Sequence, residues 1–268
     1  QQACAAKPGK LAVCEMGGKN AVIVFDDARL ELAVSAAVLS AFKTAGQRCV
    51  SAGRLIVQEG ILERFSKAFV HAASRLRIGD ALEEQTFMGP LVSQAGLDKV
   101  VHYNNLAIAE GGEVLLQGGF PNNGGLRRGY FLSPFVYLMS PGRGARVLRE
   151  EVFGPHVAII PFKTVEEAIE IHNDVDYGMA MSVITEDYRK ARTLREECEY
   201  GVGYVNLPTI GAEVQLPFGG VKKSGTGMPS AASLIDAFTH RISWTVNNGE
   251  EIKMAQGLKA MAEQPNRA

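Results

Sequence analysis

The sequence has almost no charge imbalance, and this excludes several kinds of partner. It carries 28 Lys and Arg against 29 Asp and Glu, for a formal net charge of -1, and the charges are spread along the chain. A protein that binds nucleic acid needs a basic surface to neutralise phosphates, and no such cluster stands out in the sequence. We therefore expect no nucleic-acid partner.

Cysteines are few, and long apolar runs are missing. The cysteines Cys4, Cys14, Cys49 and Cys198 lie far apart, without a Cys-x-x-Cys pair or a histidine at zinc-ligand spacing. This excludes a disulfide framework and a metal site, and it favours a reduced, cytoplasmic compartment. No run approaches the ~20 apolar residues that span a bilayer, and the N-terminus has no signal-peptide pattern. We expect a soluble protein with no membrane partner.

What the chain does have is 268 residues, 46% of them hydrophobic, and an alternation of strand and helix patterns. This is enough for one large core or two modest ones. Short apolar runs predict strands at 21–25, 55–57, 114–116, 157–162, 181–184 and 203–206. Between them, apolar residues at helical spacing predict helices, one starting at Asp26-Asp27 and ending at Gly46, one running from Ile61 and stopping before Gly79-Asp80, and others at 94–109, 164–171 and 187–198. The pattern predicts an α/β fold of three layers, a mostly parallel sheet with helices on both faces.

The last alternating segment differs from the rest. Residues 242–246, Ile-Ser-Trp-Thr-Val, follow a glycine-rich region and precede only a polar tail. An alternating segment without a following helix is typical of an edge strand or of an arm that leaves the body. We expect a C-terminal arm strand at about 241–248 and a homo-oligomer formed through it.

Three loops place a reactive or acidic residue beside glycines, which let a ligand approach the backbone closely. They are residues 14–19 (Cys-Glu-Met-Gly-Gly-Lys), residues 46–49 (Gly-Gln-Arg-Cys) and residues 150–155 (Glu-Glu-Val-Phe-Gly-Pro). Each loop alone has an ordinary explanation, since a lone cysteine is more often a small buried apolar residue than a nucleophile, and a loop carboxylate often only faces solvent.

Together the three loops resemble motifs of the aldehyde dehydrogenase superfamily. Residues 14–20 resemble its Glu-Leu-Gly-Gly-Lys motif, residues 46–49 its Gly-Gln-x-Cys motif, and residues 150–155 its Glu-Glu-Ile-Phe-Gly-Pro motif. Residues 216–225 resemble its late Pro-Phe-Gly-Gly-x-Lys-x-Ser-Gly motif. The separation of Glu15 from Cys49, 34 residues, matches the spacing of base and nucleophile in that family.

The resemblance implies a catalytic pair. Cys49 would be the nucleophile that attacks a small-molecule aldehyde, giving a thiohemiacetal and then a thioester. The backbone N–H of Cys49 would be one donor to the oxyanion. Glu15 would be the base that activates water for hydrolysis of the thioester.

The resemblance also implies a cofactor, NAD or NADP, and residues around it. Glu151 would hold the ribose of the nicotinamide half, Phe153 would pack near the ring, and Gly17 would let the backbone turn beside the cofactor. Asn206 and Phe218 would line the aldehyde channel. Lys19 is as well explained as a loop ion-pair partner as by a catalytic role.

The family's dinucleotide-binding domain, about as long as the present chain, would precede the Glu15 motif. We therefore expect a C-terminal fragment in which residues 1–14 are a remnant of that domain and 15–223 are the catalytic domain. Residues 224–248 would be a return helix and the oligomerisation arm, and 249–268 a polar tail. Cofactor binding by this chain alone is then expected to be weak.

Departures from the family pattern leave other functions open. Met228-Pro229-Ser230 replace a basic residue and a glutamate, and Phe135 and His156 also depart from the usual types. One alternative is an oxidatively silent module for oligomerisation or interaction. Another is a residual thiol esterase, because acylation of Cys49 and deacylation by Glu15 need no hydride acceptor. The identity of the aldehyde and the choice between NAD and NADP stay open.

Overall fold

The computed structural model describes residues 2–121, 126, 129–142, 144–228 and 230–250. Its contacts divide the chain into two units, Gln1–Ala237 and Phe238–Ala268. The strands are β1 Cys14–Glu15, β2 Asn20–Val24, β3 Ala52–Gln58, β4 Glu113–Leu116, β5 Phe135–Leu138, β6 His156–Phe162, β7 Tyr177–Gly178, β8 Ala180–Ile184, β9 Val202–Val205, β10 Pro217–Phe218, β11 Val221–Lys222, β12 Gly225–Thr226 and β13 Ser230–Ala231. The helices are α1 Gln2–Ala5, α2 Leu30–Phe42, α3 Glu59–Ser74, α4 Gln94–Ala109, α5 Arg146–Arg149, α6 Val165–Asn173, α7 Tyr188–Glu197 and α8 Leu234–Phe238.

Seven strands form the main sheet, in the order β4-β5-β6-β3-β2-β8-β9. Every neighbouring pair is parallel except β4 with β5. The central strand β2 is buried along its whole length, and its Ile23 lies between Ile56 of β3 and Val183 of β8. Fully buried, β-branched strands are what a parallel sheet covered on both faces requires. The predicted fold class is confirmed.

Alternate side chains of the central strands enter cores on opposite faces of the sheet. On one face, Val22 and Leu55 join a cluster that includes Phe42, Phe65 and Phe69 from α2 and α3. The rings of Phe65 and Phe69 stack there with centroids 5.7 Å apart. On the other face, the neighbouring residues of the same strands pack with α6 and α7; this cluster includes Ala21, Ile23, Ile56, Phe162, Ala168, Ala191 and Leu194. The three layers follow from this alternation.

Two helices begin where the sequence predicted, and a third begins later. The helices α6 and α7 start where predicted, with Thr164 and Asp187 as their caps, each accepting a hydrogen bond from a backbone N–H of the first turn. The first long helix starts at Leu30 instead of Asp26-Asp27. These aspartates stay in a turn because the N–H of Asp26 donates to Gln58 Oε1 and Asp27 accepts from the Thr185 hydroxyl, 2.8 Å away.

Three pairs of two-residue strands were too short to be read from the sequence. They are β1 with β12, β10 with β13, and β7 with β11, all antiparallel. Because β12 and β13 pair with residues of the expected catalytic domain, residues 224–237 belong to the first compact unit. They were expected together with the arm.

Within the second unit, the described residues from Thr239 to Glu250 form neither helix nor strand. The strand expected at 241–248 is therefore not formed in the single chain, because a strand exists only through hydrogen bonds to a partner. Ile242, Trp244 and Val246 alternate along it, and each is at least 68% exposed. The rest of the expected tail, 251–268, lies outside the described residues. Among the helices of the described ranges, none has the length and apolar character to cross a membrane.

Candidate active site

The three loops singled out in the sequence meet at one edge of the sheet. Lys19, Ser51 and Pro155 directly precede β2, β3 and β6, which are consecutive in the strand order β6-β3-β2 and parallel. Parallel neighbours begin at the same edge, here named the amino edge. The topology therefore brings the segments that carry Glu15, Cys49 and Glu151 together.

The turn before Cys49 is left-handed, which no sequence pattern indicated. After α2 ends at Phe42, the residues Thr44, Ala45 and Gly46 have φ values of 58°, 54° and 69°. Gly46 also approaches the third loop so closely that an added Cβ would lie 2.3 Å from the carbonyl oxygen of Gly154. Only glycine fits here, and its absence of a side chain lets the Cys49 turn pack on the loop that carries Glu151.

Asn20 fastens the Cys49 turn to the sheet. Its buried side-chain Nδ2 donates to the carbonyl oxygens of Cys49 (2.7 Å) and Ser51 (2.9 Å). Its Oδ1 accepts a hydrogen bond from the N–H of Ala180, at 2.8 Å. One amide thus joins the starts of β2, β3 and β8. Sequence reasoning missed this role, although Asn20 directly follows the Gly-Gly-Lys motif.

Thr209 supports the same turn from its other side. Its hydroxyl donates to the carbonyl oxygen of Val50 (2.7 Å), and its N–H donates to Ser40 Oγ of α2 (2.9 Å). Thr209 is fully buried. No sequence pattern indicates this contact, because it joins two segments 159 residues apart.

Cys49 is half-buried beside an apolar cluster. The cluster consists of Val50, Met179 and Ala180, with Cys49, Ile210 and Phe218 packed against it. Burial raises the pKa of the Cys49 thiol, and the carboxylates of Glu15 and then Glu151 raise it further, since negative charge disfavours a thiolate. The backbone N–H groups of Cys49 and Val50 oppose this by favouring the thiolate. Phe218 and Cys49 thus pack against the same apolar cluster.

Glu15 lies on an exposed short strand next to this site. Glu15 of β1 pairs with Gly225 of β12, and the N–H of Met16 donates to the carbonyl oxygen of Ser224 at 2.9 Å. The Glu15 carboxylate accepts a hydrogen bond from the hydroxyl of Ser230. Its charge is close enough to Cys49 to affect the thiol, as the pKa of Cys49 shows.

Glu151 is half-buried against the Gly17-Gly18 backbone. Its Oε1 accepts a hydrogen bond from the N–H of Gly18 at 3.0 Å, and burial raises the pKa of its carboxyl group. The positive charges of Lys99 and Lys19 partly counter this effect. Lys99, on α4, was not among the residues predicted for the site.

Phe153 follows Glu151 with a φ of 63°, in the left-handed region that is strained for a bulky residue. Its ring is 39% exposed. Such backbone strain is concentrated at ligand sites, where surrounding structure maintains it. An aromatic side chain is therefore accessible two residues along the chain from Glu151.

Lys19 takes part in none of the ion pairs found among the described residues. It is 3% exposed, and its Nζ has no hydrogen-bond partner among the described residues. Burial and the nearby Arg54 charge lower its pKa to about 7, while Glu151 and Glu150 oppose the shift. A buried amine without a partner favours its neutral form.

The structure does not bring Asn206 to the amino edge. Asn206 directly follows β9, so it lies at the opposite edge of the parallel sheet, where β8 and β9 end. Its side chain accepts from the N–H of Thr185 (3.1 Å) and donates to the carbonyl of Thr185 (3.0 Å). These contacts join the ends of β8 and β9. Asn206 therefore has a structural role and lies at the edge of the sheet opposite to Cys49.

His156, one of the departures from the family pattern, is fully buried behind the third loop. Its Nδ1 lies 2.8 Å from Asn104 Oδ1, and its Nε2 lies 3.2 Å from the Tyr137 hydroxyl. Burial lowers the pKa of His156 well below its usual value, so the ring is neutral. It is a structural residue of the β5–β6 region.

Comparison with known proteins gives a consistent result. The profile of the aldehyde dehydrogenase family matches residues 1–243. The chain is 38% identical over 225 residues to an alpha-ketoglutaric semialdehyde dehydrogenase of Bacillus subtilis, covering 84% of this chain and 46% of that protein. It is 38% identical over 247 residues to a betaine aldehyde dehydrogenase of Cereibacter sphaeroides, covering 92% of this chain and 50% of that protein.

Solved structures agree with these relatives. The betaine aldehyde dehydrogenase of Staphylococcus aureus in complex with NAD+ superposes with a TM-score of 0.79 at 35% identity, covering 83% of this chain and 44% of that one. The chain thus spans about half the length of the relatives it matches.

Proposed function

The chain belongs to the aldehyde dehydrogenase family, and we propose that it carries the catalytic groups of an enzyme that oxidises an aldehyde to a carboxylic acid with NAD+ or NADP+. The observation that carries the proposal is the meeting of three loops at the amino edge. There the Cys49 thiol lies within the electrostatic influence of both Glu15 and Glu151.

Cys49 begins the reaction. After the thiol loses its proton, the sulfur attacks the carbonyl carbon of the aldehyde and forms a C–S bond, which gives a thiohemiacetal. The backbone N–H groups of Cys49 and Val50, which already favour a negative charge at the sulfur, are suited to stabilise the oxyanion. The apolar side chains around Cys49, Phe218 among them, would contact the carbon chain of the aldehyde.

The residues at Glu151 fit the nicotinamide half of a dinucleotide. With one oxygen on the Gly18 N–H, the carboxylate can accept hydrogen bonds from ribose hydroxyls through its other lone pairs. Phe153 offers an exposed aromatic surface beside it. When bound, the cofactor supplies the acceptor for the hydride that leaves the thiohemiacetal carbon. A thioester on Cys49 remains.

Glu15 completes the reaction as a base. Its carboxylate takes a proton from a water molecule whose oxygen attacks the thioester carbonyl, and the C–S bond then breaks. The carboxylic acid leaves, and the Cys49 thiolate is regenerated. This hydrolytic half needs only Cys49 and Glu15, which favours ester hydrolysis as a second activity of the chain by itself.

We also propose that the chain forms a homo-oligomer. Ile242, Trp244 and Val246 alternate along an exposed segment without regular structure, which is the pattern of a strand that pairs with another chain. Burial of these side chains in a partner sheet would remove a large apolar surface from water.

The test combines two assays on the wild type, Cys49→Ala and Cys198→Ala. The assays are NAD(P)H formation with a panel of aldehydes and hydrolysis of 4-nitrophenyl acetate. We expect ester hydrolysis to fall to background in Cys49→Ala and to stay within about twofold in Cys198→Ala, because burial raises the pKa of Cys198 to about 12 and suppresses its thiolate. Hydrolysis that survives in Cys49→Ala, or that depends on Cys198, contradicts the proposal.

A further inference from the structure

Ser230 stands in the segment that departs from the family pattern, and its hydroxyl reaches the Glu15 carboxylate. Ser230 Oγ donates a hydrogen bond to Glu15 Oε1 across 215 residues of sequence. Glu15 is exposed and Ser230 is half-buried. A long acidic side chain at the surface has several rotamers, and a hydrogen bond to one oxygen reduces their number.

The backbone on both sides of this contact is fixed. Strand β1 holds Glu15 opposite Gly225 of β12, and strand β13 holds Ser230 opposite Phe218 of β10. Phe218 in turn packs against the cluster that contains Cys49. Ser230 therefore connects β1, which carries Glu15, with β10, whose Phe218 packs against the same cluster as Cys49.

A second serine orders the Ser230 turn. The hydroxyl of Ser233 donates to the carbonyl oxygens of Met228 and, at 2.9 Å, of Ser230. The carbonyl oxygen of Ser230 is thus held from one side while its hydroxyl points to Glu15. The direction of the Ser230 hydroxyl follows from this turn and from the β10–β13 pairing.

We propose that Ser230 is a positioning residue for Glu15, holding one carboxylate oxygen so that the other is directed at the water that hydrolyses the Cys49 thioester. The inference rests on the proposed function, since it assumes that Glu15 is the base of that step. No change in the chemistry is involved: the water proton still passes to Glu15, and the thiolate is still the leaving group. Ser230 affects how often the base is correctly oriented.

The experiment measures the lifetime of the acyl-enzyme directly. Cys49 is acylated with 4-nitrophenyl acetate, and the decay of the acetylated chain is followed by intact mass spectrometry. We expect Ser230→Ala to slow the decay by about three- to tenfold, the factor of one lost hydrogen bond. Ser230→Thr keeps the hydroxyl and should have a decay rate close to that of wild type. In Ser230→Ala, the rate of Cys49 alkylation by iodoacetamide should stay within about twofold of wild type, because the reactivity of the thiol does not depend on Ser230.

Two further variants separate positioning from a general loosening of the region. Thr226→Val removes a hydroxyl from the strand beside β1 that donates to the carbonyl oxygen of Ala12 and not to Glu15, and it should leave the decay unchanged. In a Glu15→Gln background, Ser230→Ala should cause no additional slowing.

An unchanged decay in Ser230→Ala, or equal slowing in Thr226→Val, refutes the positioning role while the assignment of Cys49 stands. If the acetyl group does not form on Cys49 at all, the proposed function fails instead. The two failures are therefore distinguishable.

Discussion

The Glu151 carboxylate occupies the space beside Gly17 so closely that a Cβ built on Gly17 would lie 2.0 Å from Glu151 Oε2. Glycine at position 17 is therefore a condition for the observed position of the carboxylate. The sequence suggested a tight backbone turn at Gly17 beside a cofactor. The structure explains the glycine by a neighbouring side chain.

Gly17→Ala should displace the Glu151 carboxylate from the Gly18 N–H. We expect the affinity for NAD+ or NADP+, measured by fluorescence titration on the protein, to fall by at least about tenfold if the ribose contact is lost. The free energy of unfolding should change by less than about 1 kcal/mol, because Glu151 is half-buried and can rotate outward. Equal affinities in the variant and wild type would contradict the assignment of Glu151 to the ribose.

Neutralising Glu15 should have opposite effects on two steps. Its negative charge is the largest electrostatic contribution that raises the pKa of the Cys49 thiol, after burial. In Glu15→Gln the thiol pKa falls, so at pH 7.5 alkylation by iodoacetamide should accelerate by about two- to fivefold. Decay of the acyl-enzyme should slow by at least about 100-fold, since the base is gone.

Glu151→Gln is the matched comparison for that prediction. Its charge also raises the pKa of the Cys49 thiol, but less than that of Glu15. Alkylation should accelerate less than in Glu15→Gln, and acyl-enzyme decay should stay near wild type. A slower alkylation in either variant would mean that the carboxylates assist the thiolate, the reverse of the expected direction.

Asn20→Ala should destabilise the protein and loosen the Cys49 turn. The buried Asn20 side chain loses three hydrogen bonds, to the carbonyl oxygens of Cys49 and Ser51 and from the N–H of Ala180. Buried polar groups left unpaired cost about 1–3 kcal/mol each, and local relaxation relieves part of this cost. We therefore expect the free energy of unfolding, measured in urea, to fall by about 2–4 kcal/mol. Thr193→Ala, which removes an exposed hydroxyl on α7, is the control and should cost less than about 1 kcal/mol.

Lys19→Met should stabilise the protein, and the gain should depend on pH. In the folded protein burial lowers the pKa of Lys19 to about 7, against 10.5 for the ordinary side chain. The unfolded state therefore binds more protons between these two values, so the Lys19 contribution to stability rises with pH across that window. The difference in free energy of unfolding between Lys19→Met and wild type should be on the order of a few kcal/mol at pH 6–7.

The same difference should shrink steadily from pH 7 towards pH 10, which urea titrations at several pH values can follow. Lys10→Met, on an exposed lysine near the N-terminus, is the control for the substitution itself and should change the free energy of unfolding by less than about 0.5 kcal/mol. A Lys19→Met variant that is less stable than wild type at pH 6–7 would show that the ammonium has a favourable partner.

The sheet could be predicted from the sequence because its central strands are short, continuous apolar runs, as at 21–25 and 157–162. Such runs need burial on both faces. The two-residue strands β1, β12 and β13 could not be predicted, because a period of two has no meaning over two residues. These short pairs nevertheless hold Glu15 and Ser230 in place.

The structure brings only some of the expected site residues together, and the separate location of Asn206 had a signal in the sequence. Cys49 precedes a predicted strand, whereas Asn206 ends one, and in a parallel sheet these positions lie at opposite edges. The predicted topology therefore already argued against placing Asn206 beside Cys49. The roles of Asn20 and Thr209 could not be found in this way, since they depend on which buried backbone groups lack a partner in the folded chain.

The left-handed turn at Thr44, Ala45 and Gly46 has a consequence for motion. Conformations with positive φ cost roughly 1–2 kcal/mol per residue for L-amino acids other than glycine. Tertiary contacts of the following residues, such as the hydrogen bond from the N–H of Val92 to Gln47 Oε1 at 2.9 Å, maintain the turn. Because this strain is released when those contacts break, we expect the turn to open at a lower free energy than the sheet beside it. Amide hydrogens at 46–50 should then exchange with solvent earlier than those of β2 and β3, and the proposed nucleophile would lie on the part of the amino edge that opens first.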